Sequence, residues 1–386
     1  MEKGWEMMKQ QIAKRWLTAG IASAIVFGAI PPVVGYSEVY AKSEIAAEDV
    51  AVTSSKELQS KLAEFMGARQ TTISLKYQGS TSNLKDILKE AVNGALESDP
   101  YTKYVVDRYT YSWKGTSGSA KITFQIYYRE TAEQSAYVES RVKEILKEII
   151  KPGMNDHQKV KAIHDYVVLN MKYDEDLKKY TAYEGLKTGE AVCQGYTLLT
   201  YKLLKHAGID NMIVEGSAGN QLHAWNLVSL GGNWYHLDTT WDDPAPDMPG
   251  VVKYGYYMRT DEQLRKTHTW NNVYPAAKQS YRQTLASLIA AGGQSAAALQ
   301  ELEQQLEYTL YRPEAAVSSA RGIQGQIKQA IGSGQQAVTI RYAGSERQLV
   351  DQLGSLYELG IKNISYLAEP LEGTGDLRVE IHWENK

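Results

Sequence analysis

Residues 191–244 read AVCQGYTLLTYKLLKHAGIDNMIVEGSAGNQLHAWNLVSLGGNWYHLDTTWDDP, and this stretch decides the fold. Its Cys193 is the only cysteine among the 386 residues of the chain. Cys193 opens a run with the apolar spacing of a helix, and Gly208 ends that run. The unpaired N–H groups at a helix start stabilise a thiolate, which is the reactive form of cysteine. The sequence therefore predicts a reactive thiol at the N-terminus of a helix.

The second half of this stretch predicts a β-hairpin. Two runs that alternate in polarity flank a Gly-Gly dipeptide at 231–232, which is typical of a two-residue turn. Such a turn pairs Leu230 with Asn233, and this register places His223 diagonal to Asp238 on one face. Diagonal neighbours lie roughly 7–8 Å apart at the backbone, a gap that an imidazole and a carboxylate can span. A register slip of one residue would turn one of the two side chains to the opposite face.

Cys193, His223 and Asp238 have the residue types of a catalytic triad. A nucleophile on a helix, a base on a strand and an orienting acid on the next strand form the Cys-His-Asp version of that arrangement. Each residue alone also has a structural explanation, since a lone cysteine is commonly a small buried hydrophobe. The combination in this order favours catalysis, although folds with an intact triad also host other functions.

Three short motifs carry a resemblance to a known family: CQGY at 193–196, HAWN at 223–226 and WYHLDTTW at 234–241. They resemble the transglutaminase-like core, whose superfamily includes transglutaminases, thiol proteases and peptide N-glycanases on a papain-like fold. The resemblance extends over residues 134–275. It implies an α+β core in which the cysteine helix packs on an antiparallel sheet that bears the histidine and the aspartate. It also implies that these residues are the nucleophile, the base and the orienting acid.

Four further residues are candidates for substrate binding or for support of the triad, namely Gln194, Tyr173, Trp225 and Trp241. Transglutaminases and papain-like proteases have an upstream side chain, a Trp or a Gln, that helps to bind the oxyanion. This chain has no clear counterpart, and Tyr173 is the nearest candidate. The calcium-site acids of animal transglutaminases also have no recognisable counterpart. The resemblance therefore implies no metal and no cofactor.

Two other patterns have structural interpretations. His164 lies in a run of helical spacing and has no metal-ligand spacing around it, so we interpret it as a helix residue. The adjacent Asp242 and Asp243 do not make a metal site without further oxygen ligands at set intervals. We interpret residues 241–244 as a turn that holds Trp241 beside the site.

The predicted activity is that of a secreted cysteine acyltransferase or hydrolase, which acts on protein amide bonds through a thioester. Water would resolve the thioester in a peptidase, and a lysine amine would resolve it in a transglutaminase. Both outcomes share the triad, so both stay open. The partner would be a protein or peptide substrate, for example in the cell envelope. The alternative is a non-enzymatic cell-surface or cell-wall binding protein with an inactive transglutaminase-like core.

The chain divides into five segments by pattern. They are a signal peptide over 1–41, a β-α-β-β module over 42–130, the core over 131–277, a helical linker over 278–335 and a second β-α-β-β module over 336–386. The modules are repeats, because ISLKYQGS at 73–80 matches VTIRYAGS at 338–345. Residues 42–60 are small and polar, which favours a linker ahead of the first predicted strand. A scaffold role and a binding role both fit the modules.

The N-terminus has the layout of an export signal. A basic start precedes the uncharged run Trp16–Ile30, and a cleavage site with small residues follows, with cleavage expected after Ala41. The run is short for a membrane span, and an uncleaved anchor is the alternative. We therefore expect a secreted or cell-surface bacterial protein, with membrane contact only through this segment. The net charge of −3 argues against a nucleic acid partner, because no basic excess is available to neutralise phosphates.

Overall fold

The structure is a computed structural model that describes residues 50–248 and 250–385. The predicted signal peptide and its cleavage site lie outside these residues. Three four-stranded sheets organise the described chain, with one sheet in each repeated module and one in the core. None of the described helices is both long enough and apolar enough to cross a bilayer.

The N-terminal module has a strand and a helix ahead of the first strand that the sequence pattern predicted. Its elements are β1 (Val50–Val52), α1 (Ser55–Gly67), β2 (Thr72–Gln78), α2 (Leu84–Ser98), α3 (Pro100–Val105), β3 (Val106–Thr116) and β4 (Ser119–Tyr128). The linker predicted over 42–60 is wrong for its described part, because β1 pairs in parallel with β2 and helix α1 follows. One apolar face of α1, formed by Leu58, Leu62 and Met66, is buried, and this packing stabilises an otherwise polar helix.

Alternation of polarity explains the sheet of this module. Ile73, Leu75 and Tyr77 of β2 are buried, whereas the residues between them are more exposed. The strand order is β1-β2-β4-β3, and the buried side chains pack against the apolar faces of α1 and α2. One face of the sheet is therefore core, and the other is a polar surface.

The core contains the helix that begins at the cysteine and the sheet on which it packs. Its elements are α4 (Ala132–Ile149), α5 (Asp156–Asn170), β5 (Lys172–Tyr173), α6 (Ala182–Thr188), β6 (Glu190–Ala191), α7 (Cys193–His206), β7 (Asn211–Ala218), β8 (Gln221–Leu230), β9 (Asn233–Leu237), α8 (Thr239–Asp242), α9 (Asp261–Leu264) and β10 (His268–Thr269). The sheet order is β10-β7-β8-β9, and each neighbouring pair is antiparallel. The predicted α+β class, with the cysteine helix on an antiparallel sheet, is confirmed.

Helix α7 lies at the centre of the core, and most of its residues are buried. The helix ends at His206, and Gly208 adopts the left-handed conformation with φ of 78°, as the predicted stop requires. The predicted hairpin register is also confirmed, because Leu230 pairs with Asn233 across the Gly-Gly turn. This register determines which side chains of β8 and β9 point towards the start of α7.

The C-terminal module begins earlier than predicted. The remaining elements are α10 (Tyr281–Ala291), α11 (Ala296–Gln305), two 3-10 turns (Tyr308–Tyr311 and Pro313–Ala315), β11 (Ala316–Val317), α12 (Ala320–Gly332), β12 (Ala337–Tyr342), α13 (Glu346–Leu353), a 3-10 segment (Gly354–Leu359), β13 (Ile361–Pro370) and β14 (Leu377–Asn385). Strand β11 pairs with β12, and α12 contributes to the apolar cluster of the C-terminal sheet. These two elements therefore belong to the module and not to the linker predicted over 278–335.

Both modules have the order β-α-β-α-β-β, apart from the short α3 and the 3-10 segment. Their strand orders, β1-β2-β4-β3 and β11-β12-β14-β13, correspond. Ala51 pairs with Lys76, and Ala316 pairs with Arg341, in the same parallel register. The repeat thus contains one strand and one helix more than the predicted pattern, because strands of two or three residues leave no alternation to recognise.

Candidate active site

Cys193 is the first residue of α7. The preceding Val192 is extended and supplies no side-chain cap, so the first N–H groups of the helix can receive an anion. The cysteine itself is partly exposed. A Cβ at Gly195 would lie 2.4 Å from the Cβ of Ala191, so glycine allows the helix start to lie close to the preceding chain. These features place an accessible sulfur at the positive end of a helix.

His223 lies between the thiol and the carboxylate. Its Nε2 is 2.7 Å from Oδ2 of Asp238, and Cys193 lies close enough to raise its pKa. Because Nε2 is directed at Asp238, Nδ1 is the ring nitrogen available to the sulfur. Asp238 follows β9 and caps α8, where its Oδ1 accepts from the N–H groups of Thr240 and Trp241 at 3.0 and 3.2 Å. The structure therefore brings the three predicted triad residues together.

The charge of Asp238 controls the protonation of His223. Burial alone would lower the pKa of His223, but Asp238 and the neighbouring Cys193 outweigh burial and raise the pKa to about 10. Burial likewise opposes ionisation of Asp238, yet His223 and His268 hold its pKa well below the ordinary value. At neutral pH the site contains an imidazolium beside an ionised carboxylate. An imidazolium next to a cysteine favours the thiolate.

A second histidine, which the sequence analysis missed, binds the same carboxylate. Nε2 of His268 lies 2.9 Å from Oδ2 of Asp238, and its Nδ1 lies 2.8 Å from the hydroxyl of Thr267. An ionised carboxylate only accepts hydrogen bonds, so His268 and His223 both donate from Nε2. His268 is fully buried in β10 at the edge of the core sheet. A histidine in a two-residue strand gives no pattern by which the sequence could have identified it.

Among the described residues, the side chains that could ligate a metal as a group belong to this same cluster. One ligand atom from each of His223, Asp238 and His268 lies within 4.8 Å of the others. Both Nε2 atoms are at hydrogen-bonding distance from one carboxylate oxygen. Hydrogen bonds therefore account for the arrangement, and it needs no ion to hold it together.

Trp225 packs against the ring of His223. Only 1% of the surface of Trp225 is exposed, so a substrate cannot reach it. Its ring stacks on that of His223, with 5.7 Å between centroids and 20° between planes. Its Nε1 donates to Nδ1 of His236 at 2.9 Å, and Nε2 of His236 donates to Asp261 at 2.9 Å. Burial lowers the pKa of His236 to about 4, which agrees with an Nδ1 that accepts. His236 is thus neutral, and its contact with Asp261 is a hydrogen bond rather than an ion pair.

Trp241 and Gln194, the other two candidates near the triad, have different surroundings. Trp241 is partly exposed and packs against His268, with 4.8 Å between ring centroids, and it lies 6.2 Å from His223. The Gln194 side chain donates to the backbone carbonyl of Tyr104 at 3.1 Å. Trp241 therefore packs beside both histidines, whereas Gln194 connects the start of α7 to the N-terminal module.

Two tyrosines lie near the thiol, and only one of them was predicted. Burial and the neighbouring charge of Cys193 both raise the pKa of Tyr173 above its ordinary value, so its hydroxyl stays protonated at neutral pH. The pKa of Tyr104 is raised by burial, by Glu215 and by Cys193, and its hydroxyl donates to Glu215 at 2.7 Å. Because the hydroxyl of Tyr104 is engaged, Tyr173 is the tyrosine with a donor available near the sulfur.

His164 is a helix residue as predicted, but it also binds the acidic segment after the triad aspartate. The histidine is fully buried, and its ring nitrogens lie 3.0 Å from Asp165 and 3.1 Å from Asp242. Burial opposes its protonation, but the two carboxylates outweigh burial and raise the pKa of His164. The buried His164 thus links α5 to α8. The predicted turn at 241–244 includes the end of α8, and Asp243 accepts from Tyr196.

Comparison with protein families agrees with this geometry. Residues 143–239 match the family model of the transglutaminase-like superfamily, and this range includes Cys193, His223 and Asp238. This segment is therefore similar to a transglutaminase-like core.

Two curated proteins and one solved structure are similar to parts of the chain. Kyphoscoliosis peptidase from Mus musculus is 25% identical over 161 residues, and the protein from Homo sapiens is 24% identical over 161 residues. In both cases the match covers 36% of this chain and 24% of the relative, so the chain spans about a quarter of the length of these curated relatives. The crystal structure of a TGase is 12% identical, covers 61% of this chain and 68% of that chain, and has a TM-score of 0.29.

Proposed function

We propose that this chain, whose residues 143–239 are similar to a transglutaminase-like core, is a cysteine acyltransferase or hydrolase that attacks protein amide bonds. The observation that carries the proposal is the 2.7 Å hydrogen bond between His223 and the buried Asp238, next to Cys193 at the first position of its helix. A protein that used this core only as a binding platform would need no buried imidazolium beside an accessible thiol.

In the first half of the reaction, the Cys193 thiolate attacks the carbon of a substrate carboxamide or peptide carbonyl. The resulting oxyanion receives the backbone N–H of Cys193 at the helix start. Tyr173 is our candidate for the second donor, because its hydroxyl is protonated and near the sulfur. The C–N bond then breaks as the His223 imidazolium transfers its proton to the leaving nitrogen. The products are a thioester on Cys193 and free ammonia or a free amine.

In the second half, neutral His223 accepts a proton from the incoming nucleophile. Water yields a carboxylic acid, and a lysine amine yields a new amide; either product regenerates the thiolate–imidazolium pair. Asp238 keeps the proton of His223 on Nε2 throughout, so that Nδ1 exchanges protons with the reactants. The partly exposed indole of Trp241 lies beside the histidine, where it would exclude part of the water and favour an amine.

A donor–acceptor assay tests this function. The full chain is incubated with a glutamine-containing peptide and a biotin-labelled alkylamine, with Cys193→Ala as the control. Biotin on the peptide identifies a transferase, and ammonia release or peptide cleavage without biotin identifies a hydrolase. Either activity should disappear in the control. Equal activity in the control would refute the proposed nucleophile, and a wild-type chain inactive towards amides would favour the binding protein.

Export of the chain is also a proposal. It rests on the basic start and uncharged run before residue 41, and it is consistent with protein substrates in the cell envelope. N-terminal sequencing of the protein recovered from the growth medium would give residue 42 as the first residue. Recovery of the uncut chain in a membrane fraction would favour the uncleaved anchor.

A further inference from the structure

Glu372 connects the C-terminal module to the core. It lies in the turn between β13 and β14, where the N–H of Leu371 donates to the carbonyl of Asp376 at 2.8 Å. One oxygen of its carboxylate accepts from Arg259, and the other accepts from Lys266 at 2.6 Å. These contacts join residues 113 and 106 positions apart in the chain. One acidic side chain of the module therefore binds the core at two points.

The two cations lie near the ends of one short segment of the core. We call residues 259–268 the bridging segment. At its start, the backbone of Arg259 exchanges hydrogen bonds with the backbone of His236 in β9, at 2.8 and 2.9 Å. At its end, Nε2 of His268 donates to Asp238 at 2.9 Å. The bridging segment thus runs from a strand of the site to the histidine that supports the triad carboxylate.

Strand β10, which carries His268, is short. Its two residues pair with Ala218 and Ser217 of β7 at the edge of the core sheet. A strand of two residues is shorter than the usual range, so its position depends on the tertiary contacts of the chain around it. Lys266, two residues before His268, provides one such contact through Glu372.

A displacement of His268 would change the triad. A hydrogen bond weakens steeply as its geometry departs from the optimum, and His268 donates to the same oxygen of Asp238 as His223 does. This bond stabilises the ionised form of Asp238. The charge of Asp238 in turn stabilises the imidazolium of His223 beside Cys193. The titratable side chains around His268 come from β8, β9 and the chain that follows them, and they are His223, His236, Asp238 and Tyr256.

We propose that Glu372 is a positioning residue for the reaction at Cys193. It holds the bridging segment at two points, and the bridging segment holds His268 on Asp238. This inference rests on the proposed function, because the position of His268 affects catalysis only if the triad is active. It assigns to the C-terminal module a role in the reaction, which is to support the active site from outside the core.

Alkylation of Cys193 by iodoacetamide in the full chain tests the role of Glu372. At pH 6, Glu372→Gln should react about three- to fivefold more slowly than the wild type, a modest loss because partly exposed ion pairs are individually weak. At pH 9 the two rates should agree, because an ordinary thiol is already largely ionised there. The matched control is Glu358→Gln, which changes an exposed carboxylate of the same module that accepts from Gln324 of α12 at 3.3 Å. This control should react like the wild type at both pH values.

A double variant shows whether Glu372 acts through His268. Adding Glu372→Gln to His268→Phe should slow alkylation no further, because the hydrogen bond that Glu372 supports is then already absent. A further slowing at pH 6 would overturn the proposal, and so would an equal loss in Glu358→Gln. Slowing that persists at pH 9 would mean general damage to the site, and circular dichroism melts show whether each variant is folded.

The failure of this inference can be told apart from the failure of the proposed function. If the wild type stays reactive at pH 6 and Glu372→Gln matches it, the triad is active and only the role of Glu372 is refuted. If the wild type itself follows the curve of an ordinary thiol, the triad is inactive, and both proposals are wrong.

Discussion

Replacing Asp238 with Asn should remove the reactivity of Cys193 at low pH. The amide of asparagine has no charge, and its NH₂ group would face the two Nε2 atoms that now donate to the carboxylate. His223 would then carry its proton on Nδ1, next to the sulfur, and could no longer accept one there. The variant thus changes both the charge and the tautomer of the histidine without a change in side-chain volume.

The size of this effect follows from the protonation of His223. Its pKa is about 10 in the folded protein against about 6.5 for an ordinary histidine. At 1.36 kcal/mol per pH unit, this difference is on the order of 5 kcal/mol of stabilisation of the imidazolium. Without Asp238, burial is the dominant influence and the pKa of His223 should fall below 6.5. An ordinary thiol is about 0.3% thiolate at pH 6, so we expect alkylation to slow by about 100-fold.

The assay is alkylation of the full chain by iodoacetamide across pH 5–9, followed by mass spectrometry. Cys193 is the only cysteine, so the mass change reports this one thiol. Asp176→Asn is the matched control, because Asp176 is highly exposed and its ion pair is with the equally exposed Lys178. The control should follow the wild-type curve, which stays high below pH 7. Wild-type rates at pH 6 in Asp238→Asn, with a folded circular dichroism spectrum, would refute the role assigned to Asp238.

Three further predictions concern the histidines around the triad. His268→Phe removes one hydrogen bond to a buried carboxylate, so it should cost roughly 1.5–3 kcal/mol in urea unfolding and slow alkylation of Cys193 at pH 6; an unchanged alkylation curve would limit His268 to a structural role. The pKa of His236 is about 4 in the folded protein. Its contribution to the free energy of unfolding is therefore present above pH 6.5 and is lost as the pH falls towards 4, and this loss is about 3 kcal/mol at most. Urea unfolding at several pH values should show this loss in the wild type and a smaller one in His236→Phe, and parallel curves would contradict the assignment. His164→Leu leaves Asp165 and Asp242 without their hydrogen-bond partner and should cost about 1–3 kcal/mol for each lost bond; a cost under about 1 kcal/mol in total would mean that the two carboxyl groups find other partners.

Local patterns in the sequence determined the hairpin and the start of the cysteine helix. A two-residue Gly-Gly turn fixes the register of the strands that flank it, so the positions of His223 and Asp238 follow from counting. The observed contact of 2.7 Å between them agrees with that count. Cys193 is likewise the first residue of its helix, because helix starts depend on residues that are close in sequence.

The predicted linker contains the start of a helical signal. Leu58, Leu62 and Met66 recur at four-residue intervals within the stretch that begins in the predicted linker, and they form the buried face of α1. The neighbouring β1 has three residues, too few for an alternating pattern. The same difficulty applies to β11 and its two residues, so both modules were predicted without their first strand and helix.

The sequence by itself determined the α+β core, the order of the triad residues and the hairpin register, because each depends on short-range geometry. Only the tertiary structure decided that His268 binds Asp238 and that His164 pairs with Asp242. It also decided that Trp225, which stacks on His223, donates a hydrogen bond to His236. The contact between His164 and Asp242 joins residues 78 positions apart. Such contacts form because a buried polar group needs a hydrogen-bond partner, and that partner can come from any element packed against it. A local sequence pattern does not identify a partner that lies far away along the chain.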